Sequence, residues 1–170
     1  PWNRHYQMYD YILNELPHLI EATFPVSNKR SVFGHSMGGH GALSIALKNP
    51  QRYRSVSAFS PIANPVNCPW GKKAFSGYLG DNTEAWLAYD SSELMKHSDK
   101  ENQLPALVDQ GDADNFLTEQ LHPQALQDAA EHSNYPLTLR MQEGYDHSYF
   151  FISSFIAEHL RFHQQYFLKN

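Results

Sequence analysis

The chain has 170 residues, enough for one domain with a sizeable core, and its 41% hydrophobic and 18% charged content is that of an ordinary globular protein. A net charge of −5, a pI near 6.0 and a single adjacent lysine pair, Lys72–Lys73, exclude a nucleic-acid footprint or a basic membrane patch. No apolar run approaches the roughly 20 residues of a membrane helix, and the one cysteine, Cys68, excludes an internal disulfide and fits a reducing, cytoplasmic setting.

Residues Tyr6 to Phe24 carry Met8, Ile12, Leu16 and Leu19 at helical spacing, with Tyr9, Leu13 and Ile20 widening the stripe. An amphipathic helix is predicted there, kinked or restarted at Pro17. "RSVFG" follows as a short strand ending at Gly34, and "GALSIALKNP" as a helix stopped by Pro50. "YRSVSAFSP" is the next strand. From 61 to 103, prolines, glycines and aromatics alternate, which predicts an insertion of loops and short helices, with Cys68 half-buried in a loop. "LPALVDQG" is a third strand, "PQALQDAAEHS" a helix, "YPLTLRMQEG" a fourth strand, and Ser148 to Tyr166 a final helix. Strands alternating with helices at this spacing predict an α/β fold, a mostly parallel sheet flanked by helices.

On that map, "GHSMGG" falls at a strand–turn–helix junction, the setting in which G-x-S-x-G forms a nucleophile elbow. The turn strains the serine to positive φ and lifts Oγ of Ser36 clear of the backbone. Gly34, Gly38 and Gly39 are expected to meet the steric demand of the close strand–helix approach, and Gly41 to make room for the helix on the sheet. The backbone N–H of Met37, at the positive end of the helix dipole, points to where an oxyanion would form.

A serine needs a base, and the base an orienting acid, in the chain order Ser, Asp or Glu, His. In "LVDQGDADNFL", Asp109 lies within the strand, so Asp112 and Asp114 are the loop candidates. In "QEGYDHSYF", His147 falls between the last strand and last helix and is the candidate base, with Asp146 beside it as a helix cap. His35 and His40 precede the acid, and His5, His18, His97, His122 and His132 lie upstream of the final strand. His159 and His163 are an i, i+4 pair without an acidic or thiol partner at metal-ligand spacing, so a solvated helix face is expected and no metal.

These motifs resemble the S-formylglutathione hydrolase (esterase D) family of α/β hydrolases. The resemblance rests on "YQMYDYILNELPHLI", "SVFGHSMGGHGAL", "FSPIANPVNCPWGKKAFSGYLG", "LVDQGDADNFL" and "YDHSYFFISSFIAEHLRFH", in that order along most of the chain. It implies Ser36 as nucleophile, Asp114 rather than Asp112 as the acid, His147 as base, and hydrolysis of S-formylglutathione without a metal or organic cofactor. It also implies that the 170 residues are the C-terminal part of one hydrolase domain. Further strands beside "RSVFG" and a second oxyanion donor are then expected upstream, and a homodimer is compatible. Trp70, Lys72 and Tyr149, with Lys73 and Phe150 nearby, are the substrate-binding candidates. The alternatives are a broad carboxylesterase or acyltransferase of the same fold and a non-catalytic interaction module.

Overall fold

The first helical run is continuous through Pro17. In the computed structural model, which describes residues 2–168, α1 (Met8–Asp10) passes into a wider π turn (Tyr11–Glu15) and then into α2 (Leu16–Thr23). Pro17 sits in the first turn of α2, where a missing N–H is least costly, and the π turn takes up the mismatch. The buried side of this run is Tyr9, Ile12 and Leu13, while Met8 and Leu19 are exposed, so the predicted stripe is rotated toward its Tyr9 edge.

Strand β1 (Val32–His35) runs one residue past Gly34 and leads through Ser36 into α3 (Met37–Lys48). Strand β2 (Val56–Phe59) is buried at every position, as a central parallel strand should be. The 61–103 segment holds three α-helices, α4 (Pro69–Leu79), α5 (Thr83–Leu87) and α6 (Ser91–Lys96), and two single 3-10 turns, Pro65–Asn67 and Lys100–Asn102. Cys68 is fully buried rather than half-buried, because its Sγ caps α4 by accepting the Gly71 N–H at 3.3 Å. Strand β3 (Ala106–Gly111), α7 (Pro123–Ser133), β4 (Leu137–Gln142) and α8 (Tyr149–Phe167) complete the order. Asn134 ends α7 in the left-handed region, at φ 52°.

The four strands are all parallel, in the order β1–β2–β3–β4, and β1 is an edge strand among the described residues. Because the connections run through α3, α6 and α7, those helices share one face, and α8 packs on the other against β2 and β3.

The two faces differ in chemistry. Under α3, α6 and α7 lies an apolar core of Leu43, Ala46, Val56, Ala58, Met95, Val108 and Leu126. Under α8 lies a hydrogen-bonded polar seam. This corrects the expectation of a solvated face for His159 and His163, which are 0% and 4% exposed. The spacing put them on one face of α8, but that face meets polar residues of the sheet, which periodicity cannot reveal.

The seam is continuous. Ser31 Oγ meets Ser55 Oγ at 2.7 Å, and Ser55 Oγ meets His163 Nδ1 at 2.8 Å. Ser57 Oγ joins His163 Nε2 (2.9 Å) to His159 Nδ1 (2.8 Å), and His159 Nε2 reaches Asp109 Oδ2 at 3.1 Å. Asp109 also accepts from Arg140 Nε and Nη2, both at 2.6 Å, and from Gln142 Nε2 at 3.2 Å. Arg140 in turn reaches Glu158 of α8. Burial alone would raise the Asp109 carboxyl, but His159, Arg140 and Gln142 outweigh it and hold it below the usual carboxylate range. One carboxylate thus ties β3, β4 and α8 together.

Candidate active site

The C-terminal ends of β1, β3 and β4 open at one end of the sheet, and the three sequence candidates leave from them. Ser36 stands between β1 and α3 at φ 57°, ψ −118°. This strain persists because the backbone is held from three sides. Ser36 N–H donates to Phe59 O of β2 at 2.9 Å, and Ser36 O accepts from His40 N–H at 3.0 Å and from Ile62 N–H at 3.4 Å.

The glycines divide unequally in this task. A Cβ on Gly34 would sit 2.2 Å from Gly38 O, and one on Gly39 would lie 3.1 Å from Pro61. A Cβ on Gly38 or Gly41 would meet open space, which corrects the expectation for those two. The closest approach is that of the Gly38 backbone to the Gly34 Cα, so Gly34 must lack a side chain, Gly39 is tight against Pro61, and Gly38 itself is free to carry one. Met37 begins α3, its N–H at the positive end of a twelve-residue helix and its side chain exposed.

The candidate acid and the candidate base lie within hydrogen-bonding distance of each other. His147 Nδ1 lies 2.6 Å from Asp114 Oδ2, and Asp114 is buried in the loop after β3. Asp114 Oδ1 accepts the Phe116 N–H at 2.9 Å, while Oδ2 also accepts from Gln110 Nε2 at 3.3 Å. Asp112 has a different task, accepting the Gly144 N–H at 2.7 Å and so fastening the loop that carries His147. Asp146 does not cap α8, whose N-cap is Ser148; it accepts the N–H of Ser148 at 3.0 Å and so braces the turn ahead of the helix. Hydrogen bonding from the Ser148 side chain first, and from its N–H second, holds the Asp146 carboxyl below the usual range.

Three neighbours escaped the sequence reading. The His35 ring packs 4.4 Å from the His147 ring, centroid to centroid, which brings the residue before Ser36 against the base. Burial first, and His147 second, push His35 below the ordinary histidine value, so it stands neutral there. The Phe116 ring meets His147 edge-on at 5.0 Å. Gly111 lets the His147 loop close onto β3, for a Cβ there would fall 2.2 Å from Tyr145 O. Only the glycine had a readable signal, its place at a strand end; the others depend on which loops meet.

Of the substrate-binding candidates, Tyr149 and Phe150 are exposed beside His147, and the Tyr149 ring lies 6.2 Å from that of His35. Trp70 packs instead against Ile62, Cys68 and Leu121, its N–H held by Gln120 Oε1 at 3.0 Å. Lys72 and Lys73 are exposed on α4.

Comparison with known proteins extends this geometry. The chain is 56% identical to an S-formylglutathione hydrolase of Rattus norvegicus over 168 residues, 98% of this chain and 59% of that protein. It superposes with a TM-score of 0.91 on an S-formylglutathione hydrolase from Agrobacterium tumefaciens, at 47% identity, covering 98% of this chain and 60% of the other. A Staphylococcus aureus protein of the same name shares the fold, with a TM-score of 0.71 at 23% identity over 91% of this chain and 62% of that one. The chain thus spans about six-tenths of the length of these relatives. The sequence profile of the putative esterase family runs from residue 1 to 162, through every strand, the elbow and both loops that follow it, and the chain belongs to that family.

Proposed function

We propose that this chain carries the nucleophile, acid and base of a serine esterase that hydrolyses S-formylglutathione to formate and glutathione in the reducing cytoplasm. The observation that carries the reading is the His147–Asp114 contact at 2.6 Å, with the His147 ring packed 4.4 Å from that of His35, the residue before a serine strained to φ 57° at a strand–helix turn. The thioester substrate is supported by the 56% identity to a hydrolase of that name.

In this mechanism Asp114 accepts a hydrogen bond from His147 Nδ1–H, which stays on the ring, so the Nε2 lone pair of His147 is the base that takes the proton from Ser36 Oγ. Oγ attacks the formyl carbon, and the Met37 N–H stabilises the oxyanion of the tetrahedral intermediate. Collapse breaks the C–S bond, and glutathione leaves as a thiolate with the proton available from His147. Water, deprotonated by the same ring, then attacks the formyl-serine; formate departs and Ser36 regains its proton. A thiolate leaves readily, so acid assistance matters less here than in amide cleavage.

Kinetics of the full-length enzyme test the reading. S-formylglutathione should give a higher kcat/KM than aryl esters with larger acyl groups, and a preference for bulky acyl esters would overturn the formyl assignment. A fluorophosphonate should label Ser36, and the label should be lost in His147→Ala. Intact protein that takes no label would instead favour a non-catalytic module.

A further inference from the structure

Gln110 is fully buried at the end of β3, beside the loop of the acid. Its Nε2 donates to Asp114 Oδ2 at 3.3 Å and to Gly111 O at 3.0 Å. A carboxylate and a backbone carbonyl only accept, so the amide has one orientation, nitrogen toward the acid and oxygen away. That leaves Oε1 buried without a hydrogen-bond partner, a destabilising arrangement that an apolar side chain of the same shape would avoid. The interaction that offsets it lies on the nitrogen side, at the carboxylate.

We propose that Gln110 is a positioning residue for the catalytic acid, holding Asp114 by the same oxygen that receives His147 and thereby setting the basicity of His147. The proposal rests on the Ser36–Asp114–His147 reading. With Oδ1 pinned by the Phe116 N–H and Oδ2 by Gln110, the carboxylate cannot rotate, and His147 meets it in one geometry. The Gln110 N–H also draws charge from Oδ2. Without it, more negative charge faces the His147 N–H, the imidazolium is favoured, and the base titrates at higher pH. The other titratable groups near His147 are His35 from β1, in ring contact with it, and Asp146 from its own loop; Asp112 fastens that loop through Gly144 and Tyr149 faces His35, and Gln110 variants leave all of them in place.

The test is steady-state kinetics of the full-length enzyme from about pH 5 to pH 9, with active sites counted by fluorophosphonate titration. Gln110→Met keeps the volume and removes the donor. Its kcat should fall about tenfold, part of the roughly 100- to 10,000-fold that general-base catalysis supplies, with KM unchanged. The midpoint of the acid limb of kcat/KM should rise by roughly half a pH unit. Gln110→Glu, which sets a second carboxylate beside Asp114, should move it further. The downfield proton NMR signal of the His147 Nδ1–H should shift in both variants. An unchanged midpoint and an unchanged signal in folded protein would overturn the proposal, and if Gln110→Met does not fold, Gln110→Glu alone decides. Full activity in His147→Ala or Asp114→Asn would instead remove the triad reading itself, whatever Gln110 does.

Discussion

The molecule holds two His–Asp pairs, and the contrast between them separates a site from a seam. His147 and Asp114 meet at 2.6 Å on loops at the open end of the sheet, and no hydrogen bond among the described residues claims His147 Nε2. His159 and Asp109 meet at 3.1 Å beneath α8, where the second ring nitrogen is bound to Ser57 and the carboxylate is shared with Arg140 and Gln142. The residue types are the same. One pair leaves a nitrogen available beside a strained serine, and the other spends every polar atom on holding three elements together.

One end of the seam has a fixed direction. Asp109 only accepts, so His159 Nε2 carries a proton. Ser57 Oγ then bridges His159 Nδ1 and His163 Nε2, and Ser55 Oγ meets His163 Nδ1. Burial, with a smaller contribution from His159, pushes His163 down to about 4, which keeps its ring neutral, with one nitrogen donating and the other accepting. A network with every member satisfied can replace apolar packing between a helix and a sheet, whereas one with a missing member cannot.

Exchanging the two histidines for alanine gives the sharpest break between the pairs. His147→Ala should cost about 10,000-fold or more in kcat with little change in Tm. His159→Ala should do the reverse, lowering stability by about 2–4 kcal/mol while folded molecules keep their fluorophosphonate reactivity. Equal losses of activity in both would show that the seam takes part in chemistry. Next in size, Asp109→Ala strands Arg140 and His159 and should cost about 3–5 kcal/mol, read by denaturant unfolding.

Acid should unravel the seam before the apolar core responds. An unfolded His163 binds a proton near the ordinary value of 6.5, but the folded one does so only near 4. Its contribution is therefore complete above about pH 6.5 and is lost as pH falls toward 4, on the order of 3 kcal/mol in all. Asp109, depressed in the fold, adds a further loss below its ordinary value of 3.8. Urea unfolding at stepped pH checks the sign, and His163→Gln should flatten the first part of the curve. Last in size, Gly111→Ala should lower kcat about 100-fold by pushing the His147 loop off β3, since its Cβ meets Tyr145 O at 2.2 Å. A crystal structure of that variant should show the loop displaced and the seam intact.

The difference between the pairs also marks what could be read beforehand. "GHSMGG", "DQGDAD" and "YDHS" were legible because an elbow and two strand-end loops are local features, each signalled by glycine, a turn and the polarity of a few neighbouring residues. The strand and helix order was legible for the same reason, in the alternation of short apolar runs with helical spacing. The resemblance, and not spacing, chose Asp114 over Asp112, and the two carboxylates prove to have different partners, His147 for one and Gly144 for the other. His159 and His163 were misread because helical period fixes which residues share a face but not what that face meets.

The amino-acid sequence by itself determined the α/β order and the strand–serine–helix turn, which are local patterns of apolar spacing and glycine. Only the tertiary structure decided the rest. Packing α8 against β2 and β3 turned an apparent surface pair into a sealed relay ending on Asp109. Bringing the ends of β3 and β4 together placed Gln110, Phe116 and Gly111 around Asp114 and the His147 loop. Burial and hydrogen-bond geometry between residues tens of positions apart are properties of the folded layers, and no local pattern encodes them.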